Sequence, residues 1–328
     1  MKIRTSAVIA MVLLAGCTPS KSTATSPSAV APATRSVATT VPTTVPTTSA
    51  STTTTAVAVT TTTIGPDVTQ DRPYEVFVPT KYNSATPMPL VVMLHGYIAT
   101  GALQEGYFKL QPLAEERGFL YVHPDGTQAV DGAHFWNATD ACCNFRASTV
   151  DDSAYLLSII EQVQLKYNVD PKRIFLMGHS NGGFMSHRMA CDHADKIAAI
   201  ASLAGAMWND VSKCSPSSPI NVLQIHGTDD ELVKYGGGVF AAPFPSAEVT
   251  TSDWAKLEGC GAQPVVQPSK LDLDRELPGA ETTSYVYGSC TAGGSATLWS
   301  IAGGKHSPHL SDTFSAQVID YLFAHPKP

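Results

Sequence analysis

The run Gly178, His179, Ser180, Asn181, Gly182, Gly183 constrains this chain more than any other part of it. It follows an apolar stretch, residues 173–179 (RIFLMGH), and precedes an amphipathic one, residues 184–191. A strand that ends in G-x-S-x-G and continues as a helix needs glycine two places before and after the serine, because a Cβ there collides as the chain turns sharply. The turn lifts the serine hydroxyl above the sheet, at a helix amino terminus whose dipole favours developing negative charge. A nucleophile elbow is expected at Ser180.

The surrounding pattern agrees with that demand. Residues 89–96 (PLVVMLHG) and 119–126 (FLYVHPDG) are continuous apolar runs that stop on glycine or proline, as buried parallel strands do. Residues 72–79 alternate like an edge strand, and further strands are expected at 197–205, 221–227 and 296–303. Residues 151–167 place Tyr155, Leu156, Ile159, Ile160 and Val163 on one helical face. Shorter helices are expected at 251–258 and at 311–324, the latter capped by Ser311 or Asp312. The expected fold is α/β of the α/β-hydrolase type, a mostly parallel sheet with helices on both faces and ligands at the carboxyl ends of the strands. With 43% hydrophobic and only 15% charged residues, the chain can bury the two-layer core this needs.

A serine hydroxyl is a poor nucleophile until a base takes its proton, so a histidine and a carboxylate must follow at other strand ends. Of ten histidines, most are better read as satisfied structural residues. His95 and His226 precede glycine at strand ends, His123 sits in HPDG, and His179 lies inside the elbow. His187 and His193 lie on or just past the elbow helix, and His134 and His325 have no supporting context. His306, after the last expected strand, is the candidate base, with His309 its close rival. The acid is Asp229 or Asp230, adjacent after residues 221–227, and spacing does not separate them. The order Ser, Asp, His is that of α/β-hydrolases.

Acyl chemistry also needs backbone N–H donors for an oxyanion, one from the residue after the nucleophile and one from the loop after an earlier strand. These fall on Asn181 and Tyr97. Tyr97, Phe135, Trp136, Trp208, Phe240 and Phe244 all stand on loops after strand ends, and Trp136, Trp208 and Phe240 are the candidate substrate contacts. The expected mechanism needs neither a metal nor an organic cofactor. No paired Cys/His spacing suggests zinc.

The amino terminus adds a location. Lys2 and Arg4 lead a short apolar run, which reads as an export signal, too short to span a membrane stably. Its ending, Leu14, Ala15, Gly16, Cys17, resembles the bacterial lipoprotein box, which implies cleavage before Cys17 and lipidation of its sulfur. Residues 18–65 are almost wholly Thr, Ser, Ala, Val and Pro, without a large aromatic residue to nucleate packing. They are expected to form a disordered tether with a reach of about 40 Å. Residues 1–17 are thus the signal, 18–65 the tether and 66–328 the catalytic domain, held at the cell surface by the lipid alone. A net charge of −7 with scattered Lys and Arg gives no phosphate-binding stripe, which excludes nucleic acid as a natural partner. A monomer is expected.

Setting Cys17 aside leaves six cysteines in a chain sent to an oxidising compartment, and disulfides are their natural use. Cys191 ends the helix that descends from Ser180 and Cys214 precedes a strand, so both belong at the lower edge of the sheet and should pair. Cys260 and Cys290 are likewise low and could form the second pair. By elimination Cys142 and Cys143 remain, above the sheet near the site, as a bridge between neighbours or as partners that upset the other two.

The runs RPYEVFVPTKY, PLVVMLHGY, FWNATDACCN, the stretch from Val150 through Met185, HGTDDELVKYGGG and GGKHS together resemble the polyhydroxybutyrate depolymerase and feruloyl esterase family. The resemblance spans residues 72–306. It implies that Asp230 is the acid and His306 the base. Lys305 replaces the family's glycine, Lys234 its proline and Ser153 its valine, without touching the triad. The lysine beside His306 either depresses the base or points to solvent. The implied activity is hydrolysis of carboxylic esters, whether feruloyl or acetyl groups on polysaccharide or polyester oligomers. With no binding module expected after Pro328, soluble esters are favoured over crystalline polymer. The same fold would also suit a peptidase or amidase, or a silent surface lipoprotein that binds glycan or polyester.

Overall fold

The computed structural model describes residues 72–328. The expected signal, Cys17 and the tether of residues 18–65 lie outside the described residues, and the fold is that of the unit that begins at residue 62.

Thirteen strands and six α-helices are described. In chain order they are β1 (Val76–Phe77), β2 (Met88–Leu94), α1 (Gly101–Phe108), α2 (Leu110–Arg117), β3 (Leu120–Val122), β4 (Thr127–Gln128) and β5 (His134–Phe135). Then come α3 (Asp152–Lys166), β6 (Val169–His179), α4 (Asn181–Asp192), β7 (Ala199–Leu203), β8 (Asn221–Gly227), β9 (Gly238–Val239) and β10 (Pro243–Phe244). The chain ends with α5 (Ala247–Leu257), β11 (Val265–Val266), β12 (Thr282–Tyr287), β13 (Ser295–Ile301) and α6 (Phe314–Ala324).

Nine strands form one sheet in the order β1-β3-β2-β6-β7-β8-β13-β12-β11. From β3 to β13 every neighbour is parallel, and only the edges run antiparallel. Alternate residues of the strands feed two cores. Val92, Leu176 and Ile200 pack under α3, α4 and α5, whose Leu156, Phe184 and Trp254 cover that face. Met93, Met177 and Ile225 face the opposite layer, covered by Phe108 of α1 and Phe314, Val318 and Leu322 of α6. This is the α/β-hydrolase architecture, with helices on both faces of a mostly parallel sheet.

Three local expectations need correction. The strand expected at residues 72–79 is only the two-residue β1, because its partner β3 is itself three residues long. The last helix begins at Phe314 after Thr313, which makes no side-chain cap. Ser311 instead spends its hydroxyl on the carbonyl of Asp272. The helix expected at 251–258 starts four residues earlier, where the Ser246 side chain accepts from the N–H of Val249. Helices α1 and α2 and the antiparallel strand β12, between β13 and β11, had no counterpart in the sequence pattern.

Disulfides join Cys191 to Cys214, Cys260 to Cys290, and Cys142 to its neighbour Cys143.

Candidate active site

The elbow is built by close approach. Ser180 sits between β6 and α4 with φ +54°, a left-handed conformation that costs a non-glycine residue energy and persists only when its surroundings enforce it. They do so through backbone. The Ser180 N–H donates to Leu203 O at 2.8 Å on β7, and Ser180 O already accepts from Phe184 N–H at 3.0 Å. A Cβ at Gly178 would strike the carbonyl of Gly182, and one at Gly182 would strike the carbonyls of Leu94 and His95. Neither obstacle is a side chain that can turn aside.

Around Ser180 the carboxyl ends of β8 and β13 bring in Asp230 and His306. His306 Nε2 lies 2.9 Å from Ser180 Oγ, and His306 Nδ1 lies 2.8 Å from Asp230 Oδ2. The imidazole therefore accepts the hydroxyl proton with one nitrogen and donates to the carboxylate with the other. Burial pushes the Asp230 carboxyl up, but hydrogen bonds from His226 and His306 outweigh it and hold the pKa at about 2. Asp230 is thus an anion at neutral pH. Asp229 turns outward, and Lys305 turns with it, its Nζ 3.9 Å from Asp229 Oδ2 at the surface. His309 pairs with Glu276 on the exterior and has no part in the cluster.

Asn181 opens α4, so its N–H has no partner within the helix. Its side chain is held fast: Oδ1 accepts from Trp136 N–H at 2.7 Å and Nδ2 donates to Trp136 O at 3.0 Å. Tyr97 lines the same cleft as Ser180 and His306. Residues on either side of Tyr97 are tied to one strap. The Trp136 indole N–H donates to His95 O at 3.0 Å, and Ile98 N–H donates to His134 O at 2.8 Å.

The cleft holds about 370 Å³, and its walls are apolar: Tyr97, Phe145, Leu232, Val233, Phe240 and the Cys142–Cys143 pair. Phe145 meets the Tyr97 ring edge-on at 5.4 Å, and Phe240 stacks on Phe244 at 5.0 Å. Of the three expected substrate contacts, only Phe240 reaches this space. Trp136 is fully buried beneath the site and Trp208 is 8% exposed, packed in the core under α4. An aromatic residue after a strand end reads the same whether it covers the core or faces a ligand, and here the need to close the core won. Phe145, Leu232 and Val233 were missed. The signal for them was position alone, since Phe145 stands two residues after Cys143 and Leu232 and Val233 two and three after Asp230.

His179 is buried beside His306, its Nε2 2.9 Å from the His306 carbonyl, and burial lowers its pKa to about 4. It serves as a neutral support for the loop that carries His306. Among the described residues, no group of three or more His, Cys, Asp or Glu side chains could hold a metal ion. No described helix is long and apolar enough to cross a membrane.

A family model described as phospholipase/carboxylesterase matches residues 80–267. Feruloyl esterase B of Piromyces equi is 29% identical over 238 residues, covering 70% of this chain and 41% of the relative. A bifunctional acetylxylan esterase/xylanase of Neocallimastix patriciarum is 27% identical over 244 residues, 74% of this chain and 32% of the relative. The chain thus spans less than half the length of either. Among solved structures, an acetyl xylan esterase from Aspergillus awamori superimposes with a TM-score of 0.55 at 16% identity, over 78% of this chain and 96% of that one. At that identity the likeness speaks for the fold alone.

Proposed function

The chain belongs to the phospholipase/carboxylesterase family, and from that premise we propose that it is a secreted serine esterase that hydrolyses carboxylic esters through Ser180, His306 and Asp230. The observation that carries the reading is the unbroken line from Ser180 Oγ through His306 to Asp230, at 2.9 and 2.8 Å.

In the first half of the reaction His306 Nε2 takes the Ser180 proton as Oγ adds to the ester carbonyl. The carbonyl oxygen becomes an oxyanion, facing the N–H groups of Asn181 and Tyr97. Its collapse expels the alcohol, which leaves with the proton held on His306, and the acyl group stays on Oγ. Water then repeats the sequence. His306 deprotonates it, it adds to the acyl-enzyme, and the carboxylic acid departs as Ser180 recovers its proton. Asp230 stays ionised throughout, holding the ring in the tautomer that accepts from serine and stabilising the imidazolium.

The apolar walls formed by Tyr97, Phe145, Leu232 and Phe240 suit the acyl side of the substrate better than a sugar. Feruloyl esters and acetylated xylan, the chemistry named for the two relatives, lead this reading, with polyhydroxybutyrate oligomers beside them. The location proposed is the cell surface, through a lipid on Cys17 and the tether of residues 18–65. Loss of a palmitate-analogue label on Cys17→Ser, with label on the wild type, is the expected result for the anchor.

Ser180→Ala should reduce hydrolysis of a nitrophenyl ester by about a thousandfold or more. A loss below tenfold would rule the mechanism out. The full chain assayed side by side on feruloyl, acetyl and hydroxybutyryl esters would rank the substrates, and turnover of amides above all three would replace esterase with amidase.

A further inference from the structure

His226, Gln224, His187 and Trp254 are buried, and acyl transfer as described uses none of them. Two imidazoles and an amide are costly in an apolar core unless their polar atoms are paired. Here the pairing also runs in one direction. Trp254 Nε1 can only donate, and it donates to His187 Nδ1 at 2.9 Å. His187 then carries its proton on Nε2, 2.9 Å from Gln224 Oε1. That orients the amide, whose Nε2 donates to Gly205 O at 2.8 Å and to His226 Nδ1 at 3.1 Å. With Nδ1 accepting, His226 carries its proton on Nε2, which stands 2.7 Å from Val233 O and 3.2 Å from Asp230 Oδ2. From α5 through α4 and β8, the chain of bonds ends on the carboxylate that faces His306.

We propose that His226 is a positioning residue for Asp230, and that Gln224, His187 and Trp254 hold His226 in the one tautomer that donates. The role rests on the reading of Asp230 as the acid of the Ser180 site. The opposite tautomer would aim a lone pair at both the Val233 carbonyl and the Asp230 carboxylate. The chain forbids it, because it starts from an indole that has no acceptor to offer. As built, His226 seats the loop from Asp230 to Val233 through the Val233 carbonyl and gives the carboxylate a second donor beside His306. With His306 and His226 both facing Oδ2, the carboxylate is held on two sides. Its remaining oxygen, Oδ1, accepts from Leu232 N–H at 2.9 Å.

The test compares His226→Leu, His226→Gln and Gln224→Glu in the full chain, on a nitrophenyl ester. His226→Leu should lower kcat at least about tenfold with KM within twofold, since Asp230 touches no substrate. His226→Gln keeps an N–H donor and should recover most of the loss. Gln224→Glu replaces the donor to Nδ1 by an acceptor, drives the proton of His226 onto Nδ1, and should fall as His226→Leu does. Wild-type kcat in a folded His226→Leu or Gln224→Glu variant overturns the proposal. A measurement that needs no variant stands beside these: nitrogen chemical shifts of the wild type should report His226 protonated on Nε2 and bare on Nδ1, and the reverse assignment overturns it. Labelling by a fluorophosphonate keeps the two levels apart. If Ser180 labels while the variants match wild type, only the role of His226 falls; if wild-type Ser180 fails to label, the acyl-transfer reading falls with it.

Discussion

Asp229 and Asp230 are neighbours in the chain with opposite surroundings: Asp230 is buried with Oδ2 2.8 Å from His306 Nδ1, whereas Asp229 lies at the surface opposite Lys305. Sequence spacing treats the pair alike, and one step along the chain separates a buried carboxylate facing His306 from a solvated one. Asp230→Asn should therefore lower kcat by about a thousandfold or more, because an amide facing Nδ1 favours the tautomer that cannot accept the Ser180 proton. Asp229→Asn should stay within about twofold, as an exposed charge 3.9 Å from a lysine contributes little. Steady-state kinetics of the two variants decides between them, and the reverse ranking would move the acid to Asp229.

Trp136 belongs to the site without lining it. Its indole N–H holds His95 O, one residue before Gly96 and two before Tyr97, and its backbone clamps the side chain of Asn181. Both expected oxyanion donors thus take their position from one residue. Trp136→Phe removes the indole donor and keeps most of the ring. It should lower kcat about tenfold or more with little change in KM, because an oxyanion donor that drifts weakens the transition state more than the ground state. Asn181→Ala keeps its backbone N–H and loses the clamp, and should behave alike. Rates unchanged in both folded variants would detach Trp136 from the oxyanion.

How much of this was legible beforehand depends on whether the information is local. Ser180 was legible because its glycines at 178 and 182 stand beside it in the chain, even though the Leu94 and His95 carbonyls that crowd Gly182 come from the end of β2. The strand that becomes β2 was legible to within two residues because it is buried on both faces and reads as a continuous apolar run. Helices α1 and α2 were not, since each is eight residues long and neither shows a clear apolar stripe. Trp136 and Trp208 were misplaced because burial and exposure of an aromatic residue depend on what the rest of the chain brings over it. His226 read correctly as a satisfied residue at a strand end, but its partner Val233 is seen only once the loop after β8 folds back.

Acid should weaken the fold well before it reaches the carboxylates. Burial lowers His95, His179 and His187 from 6.5 to about 4. For His95 and His187 the bonds demand neutrality as well. His95 Nε2 accepts from Gly126 N–H at 2.8 Å, and His187 Nδ1 accepts from Trp254. Each group binds its proton more readily unfolded than folded, so its contribution is fully present above pH 6.5 and is lost as pH falls towards 4. At pH 5 the loss is about 2 kcal/mol for each and about 6 kcal/mol together, as much as the whole stability of a modest domain. Urea midpoints should drop steeply between pH 7 and pH 5. In His187→Gln, which titrates nothing there, the drop should shrink by about a third. An equal drop in wild type and variant would show that His187 is not one of the groups responsible.

The three disulfides should divide into two kinds when removed. Cys191–Cys214 ties the end of α4 to the segment before β8 across a separation of 23 residues, and Cys260–Cys290 does the same across 30 between the end of α5 and the stretch before β13. Closing loops of that length restricts the unfolded chain, so replacing either pair by alanine should cost about 3 kcal/mol of stability with kcat little changed. Cys142–Cys143 encloses no loop and offers almost nothing of that kind. It stands in the cleft wall, where Ala141 O accepts from Ala241 N–H beside Phe240, and Cys143 O accepts from Phe145 N–H. Cys142→Ser with Cys143→Ser should therefore leave the urea midpoint near that of wild type and raise KM, most for esters whose acyl group is large enough to touch Phe145 and Phe240. Parallel denaturation and kinetics on a short and a long acyl ester read both effects, and a large loss of stability with unchanged KM would place the neighbouring pair among the structural bonds.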